Sequence, residues 1–196
     1  MNQAYHYPEE LELLTYPHPI LRRPAEPVTL FDDQLAAFCR RMLDAMHQFK
    51  GVGLAAPQVG VSRQIFVSDH GGLMAEQDPP PSLERIWINP RIEQHQGSTT
   101  YEEGCLSFPG IYAKVERHDR FTVVWQDLQG AEQRLELNAA DDVLGIVVQH
   151  ELDHLHGKLF VDHLTTVQLT LVRRKLKEME QAYKKATGKA GSILRR

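Results

Sequence analysis

The sequence predicts a single α+β domain: mixed or antiparallel sheets packed around a central helix, with another helix at the C-terminus. Three observations lead there. Apolar residues recur at three- and four-residue spacing in three separated segments, as one buried helix face requires. The stretch between the first two segments is rich in β-branched and aromatic residues and is broken by glycine and proline. A length of 196 residues suffices for one buried core, and two domains are not the default. A block of strands flanked by helices is the α+β pattern.

Near the N-terminus, LLTYPHPILRRPAEPV carries prolines at 17, 19, 24 and 27. Proline removes an amide donor and fixes φ, so an irregular or extended lead-in is expected, not a helix. In LFDDQLAAFCRRMLDAMHQF, residues Leu35, Phe38, Met42 and Met46 form an apolar stripe, and Asp32 and Asp33 sit at the positive helix end. Cys39 lies beside that stripe and reads as a buried structural thiol. GVGLAAPQVG (51–60) follows, with three glycines and a proline; Gly51 and Gly53 allow close backbone approach.

RQIFVSD then reads as a strand, residues 69–85 as a surface loop, and RIWINP as a second short strand. The segment Thr100 to Pro109 contains EGCLS. VERHDRFTVVWQD is β-rich, LQGAE supplies a turn and RLELNA an alternating strand. AADDVLGIVVQHELDHLHG is the second helix, with Asp141 or Asp142 as cap and Gly157 as stop. It is apolar around most of its circumference, which implies burial. Leu169, Val172, Leu176, Met179 and Tyr183 mark the terminal helix. Residues 1–196 are read as one domain that includes this basic helix and tail from about 165.

Hydrophobic residues at 42% and charged residues at 24% match ordinary globular usage. No run approaches the roughly 20 apolar residues that cross a bilayer, and the N-terminus lacks a basic start followed by an apolar run. A cytoplasmic protein without membrane association is expected, with Cys39 and Cys105 reduced. The net charge of −4 hides an asymmetry: Arg173 to Arg196 holds nine Lys or Arg against two Glu, while the rest holds thirteen against twenty-four acidic residues. Such a tail is either a solvated helix face or an attractor of polyanions.

HELDH, 150–154, carries the chemistry. His150 and His154 lie one turn apart on one helix face, so both imidazoles can reach one ion. Glu151 projects about 100° away, free to accept a proton beside the metal. A catalytic tetrahedral site wants a third protein ligand. Cys105, His156, Asp162, His163 and several glutamates are candidates. Cys105 is preferred as a soft donor beside Gly104, but contact between residues 105 and 150 is a matter of fold, and spacing leaves the choice open. An ion so held would bring the pKa of water toward neutrality. Asp153 is either a supporting partner or part of a solvated face.

GVGLAAPQ at 51–58, EGCLS at 103–107 and QHELDH at 149–154 together resemble the three signature motifs of peptide deformylases, in order. That resemblance implies Cys105, His150 and His154 as metal ligands and Glu151 as general acid-base. It implies that the Gln58 side chain and the Leu106 backbone N–H donate to the substrate oxyanion. It further implies an apolar methionine pocket from Val52, Tyr101, Val143, Ile146 and Val147, where Tyr101 stands at a commonly aliphatic position. Substrate backbone would add as a strand near Gly53 and after Cys105, and Glu103 would pair with Arg117 behind the site.

The reaction implied is removal of the formyl group from N-formylmethionyl nascent chains, releasing formate. One divalent ion is expected, Fe(2+) in the family, with Zn(2+), Ni(2+) or Co(2+) as substitutes. A monomer is expected, with the basic helix contacting the ribosome. Three rivals remain. A metallopeptidase of ordinary peptide bonds would need only HExxH. A non-enzymatic binding module would be expected to have lost Glu151, Gln58 or a ligand, and none is lost. A zinc-stabilised nucleic-acid binder would want paired CxxC spacing, which is absent.

Overall fold

In a computed structural model, residues 5–71 and 82–191 are described. Part of the expected 69–85 loop and the last five residues of the basic tail lie outside them. The lead-in is irregular as expected, apart from one 3-10 turn over Pro19–Arg22. Helix α1 spans Asp33–Gln48. The Asp32 carboxylate accepts the Leu35 amide at 2.9 Å, satisfying one of the open N–H groups at the helix start. Leu35, Phe38, Cys39, Met42 and Met46 are all buried, so the periodic stripe is the packed face.

Five strands follow in chain order: β1 (Gly53–Ala55), β2 (Ile65–Ser68), β3 (Arg85–Gly104), β4 (Tyr112–Gln126) and β5 (Glu132–Asn138). They form one sheet in the order β1-β2-β3-β4-β5, every neighbour antiparallel. Parallel pairing among the described residues is limited to an isolated bridge between Glu26 and Arg63.

Two differences from the sequence reading concern strands. Gly53–Ala55, assigned no element from the sequence, is an edge strand: its partner β2 supplies the ladder that glycine's weak β-preference hides. RIWINP and the segment from Thr100 are not separate pieces but the two ends of β3. The strand passes Pro90 and the polar stretch beyond it through register shifts between Ile88 and Arg91 and between Glu93 and Gln96. A bulge absorbs the residue that cannot donate to the ladder.

Helix α2 spans Val143–Leu155 and starts on Asp142, whose carboxylate accepts the Leu144 amide at 2.8 Å. Gly157 ends it at φ +66°, the left-handed conformation that the predicted stop requires. Strand β2 explains how two helices share one sheet. Ile65 and Val67 face the cluster built on α1, while Phe66, with Trp87 of β3, faces the cluster built on α2. Alternate side chains of a strand point to opposite faces, so β2 is buried on both sides. A third cluster, around Tyr16, Phe108, Ile111, Val115 and Phe160, receives helix α3 (Thr166–Thr187) through Leu176.

Candidate metal centre

Helix α2 is covered on nearly all sides, so its last turns bring polar groups into the interior. His150, Glu151 and His154 are buried there. Cys105 immediately follows the last residue of β3, and the turn after it closes with the Phe108 amide donating to the Cys105 carbonyl at 2.9 Å. The fold thereby brings a thiol from a strand end to two imidazoles on a helix. One ligand atom each from Cys105, His150 and His154 lies within 4.8 Å of the other two. Cys105 Sγ is 3.3 Å from His154 Nε2. Donors about 2.3 Å (S) and about 2.0 Å (N) from one tetrahedral ion stand about 3.5 Å apart, so this spacing fits a metal with little movement.

The two imidazoles differ in protonation. Burial would lower the pKa of His150, but hydrogen bonds with Cys105 and Glu103 hold it well above the ordinary histidine value, so it must release a proton to ligate. Burial and the neighbouring His150 hold His154 down at about 3, so it is a neutral imidazole with a lone pair to offer. Glu103 is buried, which alone would raise its pKa, but hydrogen bonds from Arg117 and His150 outweigh this and hold it at about 2. As a carboxylate it can only accept. His150 Nδ1–H therefore donates to Glu103 Oε2 at 2.8 Å, and Nε2 is the ring nitrogen that could face an ion.

Behind this lies a wider network than the expected Glu103–Arg117 pair. Arg117 donates to both Glu103 oxygens, at 2.6 and 2.9 Å, and to Asp153 Oδ2 at 2.5 Å. His163 Nε2 meets the same Asp153 oxygen at 2.8 Å. Burial would raise the Asp153 pKa, but the His163 hydrogen bond and the Arg117 charge hold it well below the usual carboxylate range. Of the two readings left open for Asp153, the structure gives the supporting one. Of the alternative third ligands, His163 is engaged by Asp153, Asp162 pairs with Arg22 at 2.7 Å, and His156 is the exposed C-cap of α2.

Glu151 is 4% exposed and its Oε2 is a buried oxygen without a hydrogen-bond partner among the described residues. Burial raises its pKa to about 7, which suits a group that must both take and give a proton near neutrality. A Cβ at position 53 would stand 2.5 Å from Glu151 Oε1, so the carboxylate keeps its present place only opposite a glycine.

Gln58 is oriented by its carbonyl, which accepts the Ala55 amide at 2.8 Å. Its Nε2 therefore points the other way, toward Ser107 Oγ at 3.2 Å and Cys105 Sγ at 3.7 Å. Ser107 in turn donates to the Leu14 carbonyl at 2.8 Å, and the Leu14 amide donates to the Gln58 carbonyl oxygen of the backbone at 2.8 Å. The proline-rich lead-in is thus part of the frame that aims Gln58.

These groups open onto a cleft of about 640 Å³. Val52, Gly53, Leu106, Tyr101, Val143, Ile146 and Val147, all singled out from the sequence, line it beside Gln58, Cys105, His150 and Glu151. Tyr101 is 44% exposed, at the rim and not enclosed in a pocket. The sequence reading missed Leu13, Phe49, Phe108, Ile111 and Tyr112, which complete the walls. No local pattern marks them: Leu13 comes from the lead-in, Phe49 from the end of α1, Phe108 and Ile111 from the turn that leads from β3 into β4, and Tyr112 from the start of β4.

The family model described as polypeptide deformylase matches residues 10–170. The chain is 43% identical over 171 residues to the peptide deformylase of Chromobacterium violaceum, covering 87% of this chain and 96% of that one. It is 40% identical over 179 residues to peptide deformylase 1B, chloroplastic, of Oryza sativa subsp. japonica, covering 91% of this chain and 64% of that longer protein. A plant peptide deformylase crystal structure superposes with a TM-score of 0.88 at 33% identity, covering 97% of this chain and 100% of that one.

Proposed function

We infer how the site works from one premise: the chain belongs to the polypeptide deformylase family, and is a metal-dependent hydrolase that removes the N-terminal formyl group from nascent peptides. The family uses one metal ion, and here Cys105, His150 and His154 would hold it. The observation that carries this reading is the meeting of those three donors beside the unpartnered, buried Glu151 Oε2. When bound, a divalent ion supplies Lewis acidity, which makes water a competent nucleophile near neutral pH.

The remaining work falls to the chain. Val52, Val143, Ile146 and Val147 receive the methionine side chain, whose flexible thioether gains by burial against apolar walls. Tyr101 bounds that pocket at its open side. The backbone at Gly53 and after Cys105 aligns the peptide as an added strand. As water adds to the formyl carbon, negative charge grows on the carbonyl oxygen, and Gln58 Nε2–H and the Leu106 N–H donate to it. Glu151 takes the water's proton and delivers it to the amine nitrogen as the C–N bond breaks, leaving formate and a free N-terminus.

Two imidazoles and a thiolate suit Fe(2+), Zn(2+), Ni(2+) or Co(2+); Fe(2+) is the reading adopted from the family resemblance. The protein is read as a cytoplasmic monomer, residues 1–196 forming one catalytic unit whose basic α3 and tail contact the ribosome. The charge excess after Arg173 supports that contact. No helix among the described residues is long and apolar enough to cross a membrane. The test is formate release from formyl-Met-Ala-Ser by protein loaded anaerobically with Fe(2+). Activity on unformylated peptides with none on the formyl substrate would overturn the reading. Ribosome binding that is unchanged after deletion of residues 173–196 would remove the docking part alone.

A further inference from the structure

A second set of ligand-bearing side chains lies outside this centre. His47 is in the last turn of α1, Asp69 directly follows β2 and Glu84 directly precedes β3. His47 Nε2 stands 3.7 Å from Asp69 Oδ2 and 3.4 Å from Glu84 Oε1. One ligand atom from each residue lies within 4.8 Å of the other two. We propose that His47, Asp69 and Glu84 form a second divalent-cation site, for a first-row transition ion such as Zn(2+), which ties the end of α1 to the chain ends entering β3 and leaving β2.

The spacing is the first argument. Two N or O donors about 2.0–2.2 Å from one tetrahedral ion are about 3.4 Å apart, so the observed separations need only small adjustments. Preorganisation is the second. Asp69 Oδ1 already accepts the amides of Gly71 and Leu83, both at 3.0 Å, which leaves Oδ2 facing His47. Glu84 Oε2 accepts from Arg40 at 3.0 Å, which leaves Oε1 facing the same imidazole. Each carboxylate thus has one oxygen fixed by the protein and one aimed at a common point. The Asp69 side chain is only 9% exposed, while His47 is about half exposed, so the donors are held yet an ion and its waters have a way in.

Charge is the third argument. Two carboxylates meet one imidazole, and Arg40 offsets only one of the two negative charges. The one negative charge left over attracts a cation to the point that the free carboxylate oxygens share. With no thiolate, this donor set is harder than that of the catalytic centre, so the two should rank metals differently. The site also touches the cleft, because the Asp69 amide donates to the Val52 carbonyl at 3.0 Å. An ion there would brace the edge carrying Val52 and Gly53.

The experiment counts ions in the full chain. Protein equilibrated with Zn(2+) is freed of excess metal, and bound zinc per chain is measured beside His47→Gln and Asp69→Asn. The expected result is about two ions in the unmodified chain and about one in each variant, with formyl-peptide hydrolysis retained as proof of fold. Loading with Co(2+) separates the centres, since only a thiolate ligand gives strong charge-transfer absorption. The variants should keep that band and lose the second equivalent. One equivalent in the unmodified chain, or a second that survives in His47→Gln, overturns the proposal. Loss of the charge-transfer band in the unmodified chain would count against the catalytic assignment instead.

Discussion

Helices α2 and α3 both show apolar residues at helical spacing, yet they have opposite fates. Eleven of the thirteen residues of α2 are buried, while Leu176 alone of the 22 residues of α3 is. On α3 even large apolar residues face outward, Val167 at 72% and Leu171 at 78% exposed. The difference teaches what burial does to polar chemistry. Inside α2, low polarity raises the Glu151 pKa to about 7 and keeps His154 neutral. Along α3, Arg174 and Glu178 form a solvent-screened pair, of the kind worth well under about 1 kcal/mol.

Substitutions along the two helices should therefore diverge. The largest effect belongs to Glu151→Gln, expected to lower the rate of formate release by about 10²–10⁴-fold while metal stays bound. A variant retaining most of its activity would break the assignment of the proton carrier. Next is Arg117→Met, which strands the buried Glu103 and Asp153 carboxylates. Unfolding by denaturant should show a loss of about 3–5 kcal/mol, and metal affinity should fall by about 10–100-fold as Glu103, which orients His150, loses the guanidinium that holds it.

The packing contrast is sharpened by three leucines. Leu144→Ala on α2 and Leu176→Ala on α3 each open a cavity and should cost about 2–5 kcal/mol, whereas Leu171→Ala should stay within about 0.5 kcal/mol. A large cost at Leu171 would mean that α3 has a partner face in solution. The smallest effect concerns Cys39, whose thiol burial pushes from 9.0 up to about 12. Because the unfolded thiol ionises first, this burial has almost no effect near neutral pH, and stability should fall by about 1.4 kcal/mol per pH unit as pH rises from about 9 toward 12. Below that window Cys39 should resist alkylation until the chain unfolds, and fast labelling of the native protein would contradict its burial.

Much of the fold is legible locally. The spacing of Leu35, Phe38, Met42 and Met46 foretells α1, and Asp142 and Gly157 bracket α2 within two residues of its ends. Strand lengths are less legible. The two halves of β3 read as separate pieces because Asn89, Pro90 and Gly97 look like breaks, and only pairing with β4 carries the chain across them. The proline-rich lead-in gives no hint that Leu14 bonds both Ser107 and Gln58, since hydrogen bonds across more than 40 residues leave no periodic trace.

By itself the sequence determined that His150 and His154 share a helix face with Glu151 one step round, because a 3.6-residue period fixes neighbours three and four apart. It also determined that this helix is buried, because its apolar residues encircle it. Only tertiary structure decided that Cys105, and not His156, Asp162 or His163, stands beside those imidazoles, and that Asp153 and His163 extend the network behind them. Helical geometry is set by covalent bonds over a few residues. The meeting of positions 105 and 150 depends instead on how β3 and α2 pack, a sum of many contacts that no short motif encodes.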